Sequence, residues 1–249
     1  MKITPYKTHK ILPNENLFDI LDKYLPKLEE NSIVAISSKI VGICEGRVIK
    51  IDETNPNQKE DLIKQEAEYY LPREYSQYGF MLTINKNLLV GNAGVDESNS
   101  NGYFSLWPKN PQKSINGIRE YLIKKNNIKH LGVIMTDSKL SPLRWGVTGY
   151  TIVHSGFQAL NSYIGQPDIF GRLMQAEKSN IPDSLAAAAV IVMGEGNEQQ
   201  PLAVINNLPF VNFQDKNPTQ EELDELKITI DEDIYASLLT GVKWQKGKK

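Results

Sequence analysis

Acidic side chains occur at three places where glycines, amides or a strand end bring backbone polar groups close together. Asp96 and Glu97 lie in a loop, Asp137 follows an apolar run, and Glu195 sits between Gly194 and Gly196. Carboxylate oxygens are ligands for hard divalent cations, and magnesium usually takes one or two of them together with phosphate oxygens and water. The set therefore points to metal and phosphate chemistry rather than to a zinc centre. Position alone leaves a second reading open for each acid, a solvated turn residue or helix cap. Glu195 is the most informative, because it falls just beyond the C-terminal end of the helix expected over 182–193. There the macrodipole is negative and disfavours a carboxylate by roughly 0.3–1 kcal/mol, a penalty that a bound cation reverses.

Phosphate-binding groups stand nearby in type. Ser37-Ser38-Lys39 offers hydroxyls and a cation, and the small, polar stretch 91–102 offers backbone amides. Neither a G-x-x-x-x-G-K-[ST] loop nor a G-x-G-x-x-G fingerprint occurs, so a nucleotide would have to be held by another route. Arg144 and Arg172 follow turn residues and suit either a carboxylate or phosphate clamp or a surface ion pair. His9, His130 and His154 are far apart and lack H-E-x-x-H spacing, which disfavours a histidine zinc site. The single Cys44 allows no intrachain disulfide, and after an apolar stretch it reads as a small buried residue rather than a nucleophile.

The elements that must position these groups follow from periodicity. Leu17, Ile20, Leu21, Tyr24 and Leu28 recur at helical spacing, with Asn14 or Asn16 as cap and Pro26 as terminator. Ile33–Ile36 reads as a buried strand ending in the polar triplet at 37–39, which is expected to be a loop before Ile40-Val41-Gly42. A helix is expected over 58–71, a hairpin over 81–90 around Asn85-Lys86-Asn87, and an amphipathic helix over 114–125. The run 131–135 reads as a strand leading into Thr136-Asp137-Ser138, and glycines 146, 149, 156, 165 and 171 suit short strands and turns. Pro182–Met193, opened by Pro182-Asp183 and closed by Gly194, is the clearest helix, and 243–249 reads as a frayed tail.

Composition sets the outer bounds. The 249 residues carry 28 Lys+Arg against 30 Asp+Glu, a net charge of -2 that disfavours a general nucleic-acid binder. With 40% hydrophobic and 23% charged residues, the chain is ordinary for a globular enzyme. The longest apolar run, Leu185–Met193, is about half of the roughly 18 residues needed to span a membrane, and the N-terminus lacks a secretory signal pattern. The expected location is the cytoplasm.

These residues occur as five ordered blocks. They are Ser38-Lys39-Ile40-Val41 with Glu45-Gly46-Arg47; Ala93 to Asn99; Thr136-Asp137-Ser138 with Arg144 and Gly146; Tyr163, Gly165, Asp168 and Gly171-Arg172; and Ala186–Ala189 leading into Val192-Met193-Gly194-Glu195-Gly196. In order and spacing the chain resembles the coenzyme F-420 gamma-glutamyl ligases, from about residue 7 to 205. Within that family it resembles most a bacterial branch described as a folate-metabolism gamma-glutamate ligase.

The resemblance implies an α+β fold of mixed sheets with flanking helices, arranged as two intertwined subdomains in a homodimer. It implies one catalytic unit over 1–249, with a core at 7–205 and a C-terminal extension at 206–249. It implies an amide ligase that uses GTP or ATP, with two magnesium or manganese ions, to phosphorylate a substrate carboxyl before L-glutamate attacks. Asp96, Asp137 and Glu195 match the family's catalytic acids; Asp96 and Asp137 match ligands of a first metal, and Ser138 and Glu195 those of a second. Ser38, Lys39, Asn99, Met193, Gly194, Gly196 and Gln200 match nucleotide contacts, with a looser match near Thr8–Ile11, and Arg144 and Arg172 are candidates for substrate binding.

Departures fall on the acceptor side. The deazaflavin ligases commonly carry a lysine where this chain has Ile43, a Gly-Arg pair where it has Leu140-Ser141, and an arginine where it has Ile164. Loss of these cations weakens recognition of a phosphate-bearing acceptor. The acceptor is therefore left as a deazaflavin precursor, a folate or another carboxylate. A metal-dependent phosphohydrolase and a non-catalytic nucleotide- or deazaflavin-binding protein remain the competing readings of the same residues.

Overall fold

A computed structural model describes residues 1–248. The architecture is α+β. The main sheet has the order β1 (Lys2–Tyr6), β12 (Leu202–Asn206), β2 (Ser32–Ser37), β8 (Leu131–Leu140) and β9 (Val147–Ser155). The pair β2–β8 is parallel and the other neighbours are antiparallel. Period-two alternation sends successive side chains of one strand to opposite faces. Val34, Ile36, Val133 and Met135 thus join one core with α1 (Leu17–Tyr24) and α4 (Pro111–Asn126), while Ile33, Ala35 and Ile134 join a second with α5 (Ile181–Met193). Both faces of the sheet are covered, which explains why its central strands are apolar throughout.

Beside it lies a smaller antiparallel sheet, β13 (Gln245–Lys246), β4 (Tyr69–Tyr70), β5 (Leu82–Asn85) and β6 (Leu88–Gly91). The hairpin β5–β6 closes on Lys86 and Asn87, both at positive φ (52° and 59°), the geometry of a two-residue turn whose twist matches the strands. A third core of Ile63, Ala67, Met81, Val95, Phe104 and Leu106 joins α3 (Gln58–Glu66) to the ribbon of β3 (Val48–Lys50) and β7 (Tyr103–Ser105). A second ribbon, β10 (Leu160–Ser162) with β11 (Lys178–Asn180), precedes α5, and the helices α6 (Gln220–Asp224) and α7 (Ala236–Thr240) follow β12. No helix among the described residues is long and apolar enough to cross a membrane.

Four expectations from the sequence are corrected. The triplet at 37–39 is not a loop: β2 runs directly into α2 (Ser38–Cys44). Its β-branched residues read as strand, yet Val41 and Ile43 bury as a helical face, and Gly42 lies so near the Leu106 carbonyl that a Cβ would come within 2.2 Å of its oxygen. Helix α3 stops at Glu66 rather than at 71, because Tyr69–Tyr70 pairs with β5. Strand β8 continues through Thr136-Asp137-Ser138 to Leu140, since β9 supplies the backbone partners across a bulge at Met135/Thr136 whatever the side-chain polarity. The terminal stretch is not frayed: Gln245–Lys246 pairs with β4, and only Lys249 of that stretch lies outside the described residues.

Candidate functional site

Ser38 and Lys39 open α2 and point to two different acids. The Lys39 ammonium bonds Asp96 Oδ2 at 2.6 Å, and it also donates to the Ser98 carbonyl at 2.8 Å and to its hydroxyl at 3.0 Å. Ser98 in turn donates its amide to Asp96 Oδ1 at 3.0 Å and its hydroxyl to Oδ2 at 2.6 Å. The Asp96 backbone is held by Ser105 of β7 through amide–carbonyl bonds of 3.0 and 2.7 Å. Burial works to raise the Asp96 carboxyl, but the Lys39 charge and the Lys39 and Ser98 hydrogen bonds outweigh it and leave the group below the usual carboxylate range.

Asp137 sits on β8, level with the start of α2. Its Oδ2 accepts from the Ser38 hydroxyl at 3.1 Å and from the Trp107 indole N–H at 2.5 Å, and its Oδ1 accepts from the Ser138 amide at 2.8 Å. Burial pushes the Asp137 carboxyl up; the Ser138, Trp107 and Ser38 donors and the Lys39 charge pull it back without cancelling that effect.

The loop after α5 closes the arrangement. Gly194 ends the helix at φ 86°, and the Ser138 hydroxyl lies 2.8 Å from both Glu195 carboxylate oxygens. The Asn99 side-chain amide donates to the Gly196 carbonyl at 2.9 Å, tying the 91–102 loop to this one. Glu198 accepts from the Gly196 amide at 2.9 Å, and the Thr8 amide donates to the Gln199 carbonyl at 2.9 Å. The strand end at 37–39, the polar loop, the middle of β8 and the post-helix loop, far apart in sequence, therefore meet along one seam.

Other expected residues fall elsewhere. Met193 is buried in the core against β2 and β12, so its side chain packs rather than faces the seam. Gln200 is half-buried beside the seam. Arg144 and Arg172 lie exposed on connections after β8 and β10, and neither guanidinium has an ion pair or hydrogen bond among the described residues. Glu97 pairs with Lys59 at 3.1 Å, His9 with Glu15 at 2.7 Å, and His130 lies 3.6 Å from Glu30. Burial, with smaller effects from Glu15 and Glu45, pushes the Cys44 thiol up to about 12, so it stays protonated and unreactive at neutral pH. Ser98 falls inside the 93–99 block and Glu198 between the matched positions 193 and 200, whereas Trp107 carries no signal in the sequence. Trp107 reaches Asp137 only through tertiary contact, with no spacing to announce it.

The donor set is oxygen alone: Asp96, Asp137, Ser138 and Glu195. Among the described residues no three of His, Cys, Asp or Glu gather into a metal-ligating cluster. Oxygen donors of this kind are the type that magnesium or manganese takes together with phosphate and water. The Lys39 charge acts downward on both acids, and it prevails at Asp96 together with the hydrogen bonds but is outweighed by burial at Asp137.

Comparison with known proteins places the chain among named relatives. The family described as F420-0:gamma-glutamyl ligase matches residues 5–207. The chain is 36% identical over 231 residues to the coenzyme F420:L-glutamate ligase of Methanococcus maripaludis strain C6, covering 88% of this chain and 90% of that one. It is 33% identical to the enzyme of the same name from Methanocaldococcus jannaschii, covering 84% and 89%, and 30% identical to that from Methanopyrus kandleri, covering 80% and 83%.

Proposed function

The chain belongs to the F420-0:gamma-glutamyl ligase family, ligases that form carbon–nitrogen bonds, and from that premise we propose that it uses GTP or ATP to join L-glutamate to a substrate carboxylate. The observation that carries this reading is the seam itself, where Lys39–Asp96, Ser38–Asp137, Ser138–Glu195 and Asn99–Gly196 place a cation, hydroxyls and carboxylates in one continuous network. Two divalent ions, held by Asp96, Asp137, Ser138 and Glu195, would neutralise the phosphate charge.

The chain's own residues supply the rest. Lys39 and the loop amides orient the phosphates, and Asn99 fixes the 91–102 loop against the loop at 194–200. The acceptor carboxylate attacks the γ-phosphorus, the β–γ bridging bond breaks, and the nucleoside diphosphate departs. The glutamate amine then attacks the acyl carbon, phosphate leaves, and the amine's surplus proton passes to solvent. No protein nucleophile is needed, in keeping with the protonated Cys44.

On the acceptor side, Ile43 is buried in α2, whereas Leu140 and Ile164 are exposed, so the latter two can bear on what is recognised. Because the relatives are named for coenzyme F420, a deazaflavin precursor heads the panel to be tried, with folates and other carboxylates beside it. We place the protein in the cytoplasm as a dimer with a second copy of itself.

Calorimetry with GTP and ATP, with and without magnesium or manganese, tests the site. Wild type should bind a nucleotide only with metal, Glu195→Gln should weaken this at least tenfold, and Asp137→Ala should abolish it. Metal-dependent binding untouched by Asp137→Ala would remove the site assignment. Mass spectrometry of acceptor mixtures should show a gain of one or more glutamyl groups; nucleotide turnover that ignores glutamate would instead indicate hydrolysis.

A further inference from the structure

We propose that Trp107 is a positioning residue that sets the spacing and aim of the two acids Asp96 and Asp137, one from its backbone side and one from its indole edge. The proposal rests on the metal-binding reading of those acids given above.

Trp107 is held through its backbone, on one ring face and at its indole N–H. Two residues before it, Ser105 forms the paired backbone bonds with Asp96, so Trp107 and Asp96 belong to one locally rigid ladder. Arg47 clamps the same stretch twice: its carbonyl accepts the Leu106 amide at 3.0 Å, and its Nε donates to the Trp107 carbonyl at 3.1 Å. Arg47 is itself held by Glu66 at 2.7 Å. The ring lies flush on Gly94, two residues before Asp96, where a Cβ would come within 2.3 Å of ring atoms; at φ +80° that position also disfavours a side chain. Trp107 is only 4% exposed. The remaining polar group of the side chain, Nε1–H, is spent on Asp137 Oδ2.

Accounting for lone pairs then gives the aim. A carboxylate offers about four acceptor sites, two on each oxygen. Trp107 and Ser38 fill those of Oδ2, while the Ser138 amide takes one on Oδ1. One site is left, on Oδ1, and that is the oxygen presented to a cation. Without the indole N–H, Oδ2 regains a free site and the carboxylate loses its single preferred presentation. Partners of this kind, one step removed from a metal, typically change affinity by about 10–100-fold.

The test is manganese binding to the full-length protein, measured by calorimetry with and without a non-hydrolysable GTP analogue. Trp107→Phe keeps an aromatic face on Gly94 and removes only the donor. The expected result is manganese affinity about 10–100-fold weaker than wild type, with circular dichroism unchanged, while Trp244→Phe, in the segment after β12 and bonded to the Leu239 carbonyl, binds as wild type. Equal affinity in Trp107→Phe would overturn the role of Trp107 and leave the metal site standing. No manganese binding by wild type under either condition would overturn the metal reading, and this proposal with it.

A second measurement does not depend on the folding of that variant. In protein carrying Trp145→Phe and Trp244→Phe, Trp107 is the only fluorophore of its kind. Paramagnetic manganese should quench its emission strongly where magnesium at saturation does not. Indistinguishable emission with the two ions would place the metal away from Trp107 and overturn the proposal.

Discussion

His154, buried on β9 against Phe157, carries a pH dependence that is separate from the seam. Burial lowers its pKa from 6.5 to about 4, only slightly opposed by the Glu222 charge across a small cavity that Glu225 also lines. The folded value lies below the unfolded one, so the stabilisation is complete above about pH 6.5 and is lost as the pH falls from there through about 4. The loss is on the order of 3 kcal/mol. Chemical denaturation at pH 7 and pH 4.5 should show this slope in wild type and a clearly flatter one in His154→Leu; equal slopes would mean another group titrates there. At this scale the sequence is readable where a contact depends on residue type, as with Asp96, Asp137 and Glu195, whose carboxylates the fold brings to one seam. It is silent where a role depends on what lies across a tertiary contact. Trp107 and the neutral His154 are of that second sort, and so is Met193, whose match to a nucleotide contact hides a packed side chain.

Elements with strong local punctuation could be read directly. Asn16 caps α1, accepting the Phe18 amide at 2.9 Å; Asn110 caps α4, accepting the Lys113 amide at 3.1 Å; and Pro182 with Gly194 brackets α5. Helix α2 could not, because seven residues rich in Ile and Val satisfy a strand pattern as well, and only burial against β2 and the Leu106 carbonyl selects the helix. The segment after β12 could not either, since its anchors are long-range. Arg119, buried in α4, donates to the Gln214 carbonyl at 2.9 Å and to Asn217 Oδ1 at 3.1 Å, while the far end of the segment adds β13 to the smaller sheet. It is thus a strap from the main sheet to the smaller one. Its final turn has no room for a side chain: a Cβ on Gly247 would stand 1.8 Å from the Ala67 carbonyl oxygen. Gly247→Val should therefore undock β13, with hydrogen exchange at Tyr69 and Tyr70 rising at least tenfold while β2 and β8 keep their protection. Unchanged exchange at β4 would show that the strap contributes nothing to that sheet.

For the molecule as a whole, the main sheet has both faces covered by its own helices, yet large apolar side chains remain outside. They concentrate where β8 turns into β9 and in the connection after β10. Leu143 and Trp145 are 102% and 87% exposed at the first, and Ile169 and Phe170 are 92% and 89% exposed at the second. The Trp145 ring meets Tyr78 edge-on, with ring centroids 5.7 Å apart. Exposed apolar side chains gathered on a connection are what a contact face presents. The same hairpin carries Asp137 and Ser138 five to eight residues before its tip, so whatever covers the tip also steadies one wall of the seam. The dimer proposed above would put a second copy of the chain on this face. Sedimentation of wild type at micromolar concentration should give a dimer of 28.1 kDa chains. Leu143→Ser with Trp145→Ser should give a folded monomer whose metal-dependent nucleotide binding is weakened severalfold. A monomeric wild type would leave the tip to some other partner, and a monomeric variant with full nucleotide binding would separate the contact face from the chemistry of the seam.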